Sequence, residues 1–153
     1  MAYDFLWTAA PEIKVRLLAL AIAAQACLAV WTYTKMSKAR FKAAKAGEVQ
    51  ADIYKATQNE PEDLAVYTRT VANQFEMPVL FYAGIIGGIA LGSSSWITVV
   101  FAFVYVFLRQ RHAAEMVGGN IVLKRRKTFI RSAQVFLALL AEFVISAMLF
   151  AQA

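Results

Sequence analysis

Residues 77–108 carry no charged side chain. A stretch that long has few ways to fold in water, because a helix at a soluble surface needs charges along its outer face. Two comparable stretches flank it. Residues 13–34 hold only Lys14 and Arg16, both near the start, and residues 133–153 hold only Glu142. A bilayer core is crossed by roughly 20 predominantly apolar residues in a helix. These stretches supply that length four times once their amphipathic flanks are added. Composition agrees: 60% of the 153 residues are hydrophobic and the mean hydropathy is +0.53, whereas a soluble domain is about 45–50% apolar. The sequence therefore predicts an all-α integral membrane protein, a bundle of four transmembrane helices forming one domain over residues 1–153.

The first span is expected at about 13–34, with Pro11 in its first turn, where a missing N–H costs little. A charged, helix-prone segment follows, with Gly47 as its expected break. The second span, about 61–91, has a start signal in Asn59 or Glu60 followed by Pro61, and Glu62 and Asp63 complement the helix dipole. Pro78 removes one backbone hydrogen bond and is expected to bend this helix just beyond Glu76. Gly84, Gly87 and Gly88, with Ala83, offer a small-residue face for close helix approach. The third span covers about 94–116 and ends near Gly118 and Gly119; the fourth covers about 128–151, entered through the run Lys124-Arg125-Arg126-Lys127.

The net charge of +6 is concentrated in two connections. Lys35, Lys38, Arg40, Lys42, Lys45, Lys55 and Arg69 follow the first span, and Arg109, Arg111, Lys124–Lys127 and Arg131 surround the third connection, while the second connection is uncharged. By the positive-inside rule both basic connections face the cytoplasm, both termini face the other side, and the location is a cell (inner) membrane. Such a distribution sets topology and argues against nucleic acid as the partner; membrane lipid is the expected contact. The N-terminus lacks the basic and apolar regions of a signal peptide, so the first helix is expected to persist. Cys27 is the single cysteine, which excludes an intrachain disulfide and any Cys-x-x-Cys metal site.

Polar residues gather where the basic ends of the spans should lie. Arg69, Asn73 and Glu76 stand at i, i+4 and i+7, within roughly 40° of one another on a helix. Arg109 and His112 share a face of the third span, with Tyr105 one turn deeper, and Arg131 and Ser132 open the fourth. Charged groups at depth cost a few kcal/mol each on insertion scales, so they should face the bundle interior or a watery cavity. Several cations with one carboxylate and an amide suit a small zwitterion: arginines hold carboxylates in pairs of hydrogen bonds, and a glutamate takes an ammonium.

Arg69-x-x-x-Asn73-x-x-Glu76 followed by Pro78 and an aromatic-rich apolar run resembles the second-span signature of the MAPEG family, the membrane-associated proteins in eicosanoid and glutathione metabolism. Arg109-x-x-His112 and Arg131-Ser132 are similar to that family's motifs in the third and fourth spans. The resemblance implies a homotrimer with glutathione as co-substrate between protomers at the cytoplasmic side. It implies that Arg69, Asn73, Glu76, Arg109 and His112 bind the tripeptide and that Arg131 stabilises its thiolate with Ser132 beside it; the sequence itself offers no metal-ligand cluster, so no metal is expected. Met116 and Val135 stand where the best-known catalytic members carry tyrosines.

Three functions fit this reading. One is a glutathione-dependent transferase or peroxidase for lipophilic electrophiles arriving through the bilayer. Another is a non-catalytic relative that binds lipid or a partner in the same clefts. The third is a small transporter or channel subunit using Glu142 and Gln25, although the expected role of that pair is an interhelical hydrogen bond, with each other or with a neighbouring copy.

Overall fold

A computed structural model describes residue 5, residues 9–55 and residues 60–150. Among the described residues regular structure is entirely helical. It comprises α1 (Pro11–Lys45), a short 3-10 helix (Ala51–Lys55), α2 (Glu62–Ala72), α3 (Met77–Ala90), α4 (Trp96–Gly118) and α5 (Val122–Phe150). Asn59 and residue 151, named above as boundaries, lie outside the described residues. Two helices, Pro11–Lys45 and Val122–Leu149, have the length and hydropathy to cross a membrane. α3 does not reach across alone, since its 14 residues at about 1.5 Å each fall short of a hydrocarbon core about 30 Å thick.

The two long central helices bury narrow stripes. Within the spanning part of α1 the buried positions are Lys14, Leu18, Ala21, Gln25, Leu28 and Thr32, and in α4 they include Thr98, Ala102, Tyr105, Arg109, His112 and Met116. Both alternate steps of four and three, the spacing of a seam that faces a nearly parallel or antiparallel neighbour. The core between them is Leu18, Ala21, Phe81, Ile85, Val99, Ala102, Tyr105, Val106, Phe136 and Leu139. At its centre Phe81 stacks on Tyr105 at 4.6 Å between ring centroids, and Phe136 closes the other side at 6.1 Å. The glycines of α3 serve a ring on α5: a Cβ on Gly87 or Gly88 would lie 3.4 or 3.6 Å from Phe143. Ala83, one turn before Gly87, is exposed.

The first connection follows expectation, with α1 running on to Lys45 and the chain leaving the helix through Gly47 at φ +72°. A clasp then returns it to the bundle. Arg40 Nε donates to Glu60 Oε1 at 2.8 Å and its Nη2 donates to Thr68 Oγ1 at 2.8 Å. Thr68 in turn donates to Glu60 Oε2, and the Arg40 guanidinium lies 4.9 Å from the centre of the Tyr54 ring. Glu60 is therefore an ion-pair partner, and the position before α2 is Pro61, without a side-chain cap.

The serine-rich second connection is buried and does more than turn the chain. Ser95 and Thr98 form a reciprocal capping box at the start of α4. Both hydroxyls donate onward to Glu142 of α5, at 2.5 Å from Ser95 and 2.7 Å from Thr98, and Ser146 adds a third bond at 2.9 Å. The carboxylate thus sits at a helix N-terminus, where the dipole favours an anion. Lys14 reaches the same region, donating to the Ser94 carbonyl at 2.8 Å. The expected pairing of Glu142 with Gln25 is not what forms, because the two belong to separate networks. Gln25 donates to Gln74 Oε1 at 3.1 Å, and Gln74 donates to the Thr70 carbonyl at 3.1 Å.

Two outcomes follow. Glu142→Ala strands two hydroxyls of the capping box and should lower stability by about 2–3 kcal/mol, against a smaller loss for Glu142→Gln, measured by thermal unfolding in detergent. Desolvation pushes the Glu60 carboxyl up, but the hydrogen bonds from Arg40 and Thr68 with the Arg40 charge outweigh it and hold the group below the usual carboxylate range. A folded pKa below the unfolded one stabilises above the unfolded value, about 4.3, and that stability fades as pH falls through the folded one. Wild type should therefore lose stability over that acid range more steeply than Glu60→Gln.

Candidate functional site

The site begins with an interruption. In a continuous helix the Pro78 ring would collide with the carbonyl of Gln74, four residues earlier. The sequence suggests a bend just beyond Glu76, but the helix stops instead: α2 ends at Ala72, Asn73 is its C-cap, and α3 restarts at Met77 with Glu76 as N-cap. Pro78 then lies in the first turn of α3, where its missing donor is not needed. Arg69, Asn73 and Glu76 are therefore not one stripe on one helix. They are the last turn, the cap and the restart of a broken one.

The break exposes main-chain carbonyls that a continuous helix would satisfy. Arg109 meets one of them. Its side chain is 1% exposed, and its Nη2 donates to the Asn73 carbonyl at 2.5 Å. Nε and Nη1 of the same guanidinium are buried without a partner among the described residues, as is the Tyr105 hydroxyl one turn deeper. The Asn73 side chain is tied separately, its Nδ2 donating to Met116 Sδ at 3.3 Å, a weak acceptor.

From the other side α5 closes the space. It starts at Val122, six positions before the expected Thr128, after Asn120 turns the chain at φ +50°. The basic run therefore lies in its first turns. The Arg125 carbonyl lies 3.0 Å from His112 Nδ1; a carbonyl can only accept, so Nδ1 donates. His112 Nε2 is left buried without a partner. Arg125 Nη1 donates to Asn120 Oδ1 at 2.5 Å, and Thr128 Oγ1 donates to Glu115 Oε2 at 2.8 Å.

These elements border an open cavity of about 380 Å³ lined by Arg69, Ala72, Asn73, Glu76, His112, Met116, Arg125, Arg126 and Phe129. Four residues singled out in the sequence share that wall: Arg69, Asn73, Glu76 and His112. Arg109 lies in the bundle interior and holds the break. Arg131 and Ser132 are elsewhere. The early start of α5 moves Arg131 from the expected first turn to about the third, where it is exposed, and Ser132 is buried with its hydroxyl on the Phe129 carbonyl at 2.7 Å. Sequence reasoning assigned Arg125 and Arg126 to topology alone and missed them on the wall. The spacing of Arg125 and Phe129, i and i+4, was the available signal. No group of three or more potential metal-ligating side chains occurs among the described residues.

The MAPEG family model matches residues 18–149, nearly the whole chain. The chain belongs to the MAPEG family. This is a membrane family of glutathione and eicosanoid metabolism, in keeping with the two long apolar helices. No curated protein and no solved structure matches the chain significantly.

Thr128 is buried and knits α5 to α4 behind the cavity. Thr128→Val, equal in shape but without the hydroxyl, should cost about 1–2 kcal/mol in thermal unfolding, and Thr128→Ser should recover most of it.

Proposed function

We propose that this MAPEG protein is a membrane-bound glutathione-dependent transferase or peroxidase acting on lipophilic electrophiles. One observation carries the reading: a single cavity joins Arg69, Asn73, Glu76 and His112 with two further arginines, Arg125 and Arg126. Three cations, one carboxylate and an amide match a tripeptide with two carboxylates and one ammonium. Paired N–H donors of arginine suit the carboxylates, Glu76 suits the ammonium, and Asn73 suits a peptide group. The volume lies within the range of small-molecule sites, about 300–1,000 Å³.

The chemistry requires a thiolate. A free thiol has a pKa near 8.5, and each unit of lowering needs about 1.4 kcal/mol of preference for the anion. Arg125 and Arg126 supply positive charge within the cavity, so the activating role expected of Arg131 passes to them in the protomer's own pocket. Arg131 faces outward, available to a neighbouring copy in the proposed homotrimer. Four crossings with both basic connections on the cytoplasmic side would place the cavity where soluble glutathione and membrane-dissolved electrophiles meet.

A second reading, a non-catalytic binder, draws on Met116 and Val135. Met116 is buried with its sulfur on Asn73, and Val135 packs against the core, so neither position offers a phenol. Of the remaining tyrosines, Tyr54 packs under Arg40 and Tyr67 lines an adjoining groove that shares Met116.

Thermal unfolding against glutathione concentration tests the site. At about 100 times its dissociation constant glutathione should add roughly 2.7 kcal/mol to the native state, and Arg69→Ala and Glu76→Ala should abolish the shift. Conjugation of an electrophile panel then separates the two readings. Turnover lost in Arg125→Ala with the glutathione shift retained supports the enzyme, and binding without turnover in wild type supports the binder.

A further inference from the structure

A second recess lies on α4, sharing no wall residue with the cavity just described. Near the end of α4 a pocket of about 250 Å³ is lined by Arg111, Glu115, Ile121 and Lys124, with Ala114 at its inner edge. Ala114 also borders a groove of about 480 Å³ between α1 and α4, whose other walls are Ala24, Cys27, Leu28, Trp31 and Gln110. The two meet at Ala114, the residue that both share. Toward the basic end the order along α4 is Gln110, Ala114, Gly118, and along parallel α1 it is Ala24, Leu28, Trp31, so the groove leads from the charged pocket at the basic end toward the middle of the bundle.

The mouth is cationic. Arg111 and Lys124 are exposed there, and Lys127 follows Lys124 by one helical turn. Glu115 is the one carboxylate. Its Oε1 lies 3.5 Å from Arg111 Nη2 and its Oε2 accepts from Thr128, so it offsets only part of the positive charge. The slot is apolar apart from Gln110 and the Cys27 thiol, and at its upper rim Lys35 Nζ lies 5.5 Å from the centre of the Trp31 ring. Tryptophan with an adjacent cation is the pairing found at the boundary between hydrocarbon and headgroups.

We infer that this recess binds an anionic phospholipid, its headgroup phosphate between Arg111 and Lys124 and one acyl chain in the slot from Ala114 past Trp31 and Leu28. A soluble anion would use only the mouth, and a zwitterionic lipid would gain less from it, since clustered lysines and arginines select acidic headgroups. The apolar slot leading out of the charged mouth is what distinguishes a lipid from a free phosphate.

Cys27 reports occupancy directly, because it is the only cysteine, is exposed and lines the slot. The full chain in mild detergent, stripped of lipid, is treated with a maleimide, with phosphatidylglycerol or phosphatidylcholine of the same chains added. Phosphatidylglycerol should slow labelling about tenfold, as when about nine-tenths of the sites are filled. Phosphatidylcholine and glycerol phosphate should leave the rate near its starting value. Arg111→Glu with Lys124→Glu, both at exposed positions, should remove the protection while keeping the melting temperature, and Ala114→Trp should remove it with the charges intact. Equal protection by both lipids, protection persisting in the charge-reversed variant, or a Cys27 already unreactive in the stripped protein because another copy covers it would each overturn the assignment.

Discussion

The collision between the Pro78 ring and the Gln74 carbonyl shapes the half of this molecule that holds the arginine-lined cavity. It cannot be relieved within a continuous helix, so the chain divides into α2 and α3, and at Glu76, with φ −94° and ψ −106°, the backbone has left helical geometry. Everything near the cavity follows. The freed Asn73 carbonyl explains why an arginine is buried at position 109, since a carbonyl inside the bundle needs a donor. Glu76 becomes the start of a new helix, so it and Arg69 line one cavity from opposite sides of the gap.

At the other end of the bundle a different constraint operates. In the uncharged second connection Ser94, Ser95 and Thr98 are buried and carry the contacts of Lys14 and Glu142. A carboxylate there is stable because hydroxyls and a helix terminus surround it, and removing any one of them leaves a polar group without water. Glu142 thus reads as a joint between α4 and α5.

The helices were legible because apolar length and charge interruption are properties of the chain itself. Pro11, Gly47 and the acidic turn after Pro61 mark ends by local backbone rules, and each lies where those rules place it. The start of α5 was not legible. Ile121, Val122 and Leu123 carry no cap and precede a basic run, so hydropathy alone placed the helix start at Thr128. That error displaced Arg131 by two turns and hid Arg125 and Arg126 from the site. The pairings of Gln25 with Gln74 and of Glu142 with Ser95 were equally hidden, because polar partners across helices depend on rotation and register rather than on spacing within one helix.

The interrupted segment is irregular, but it is not loose. Gln74 is bonded to Gln25 of α1, the Asn73 carbonyl to Arg109, and the Asn73 amide to Met116 of α4. Three side chains from two other helices reinforce the stretch's own main-chain bonds, from Asn73 N–H to the Arg69 carbonyl, Gln74 N–H to Val71 and Phe75 N–H to Ala72. A ligand arriving at such a surface meets groups already in position and gives up little conformational freedom in ordering them. The broken helix thereby presents a preorganised surface, held by its own turn bonds and by its neighbours.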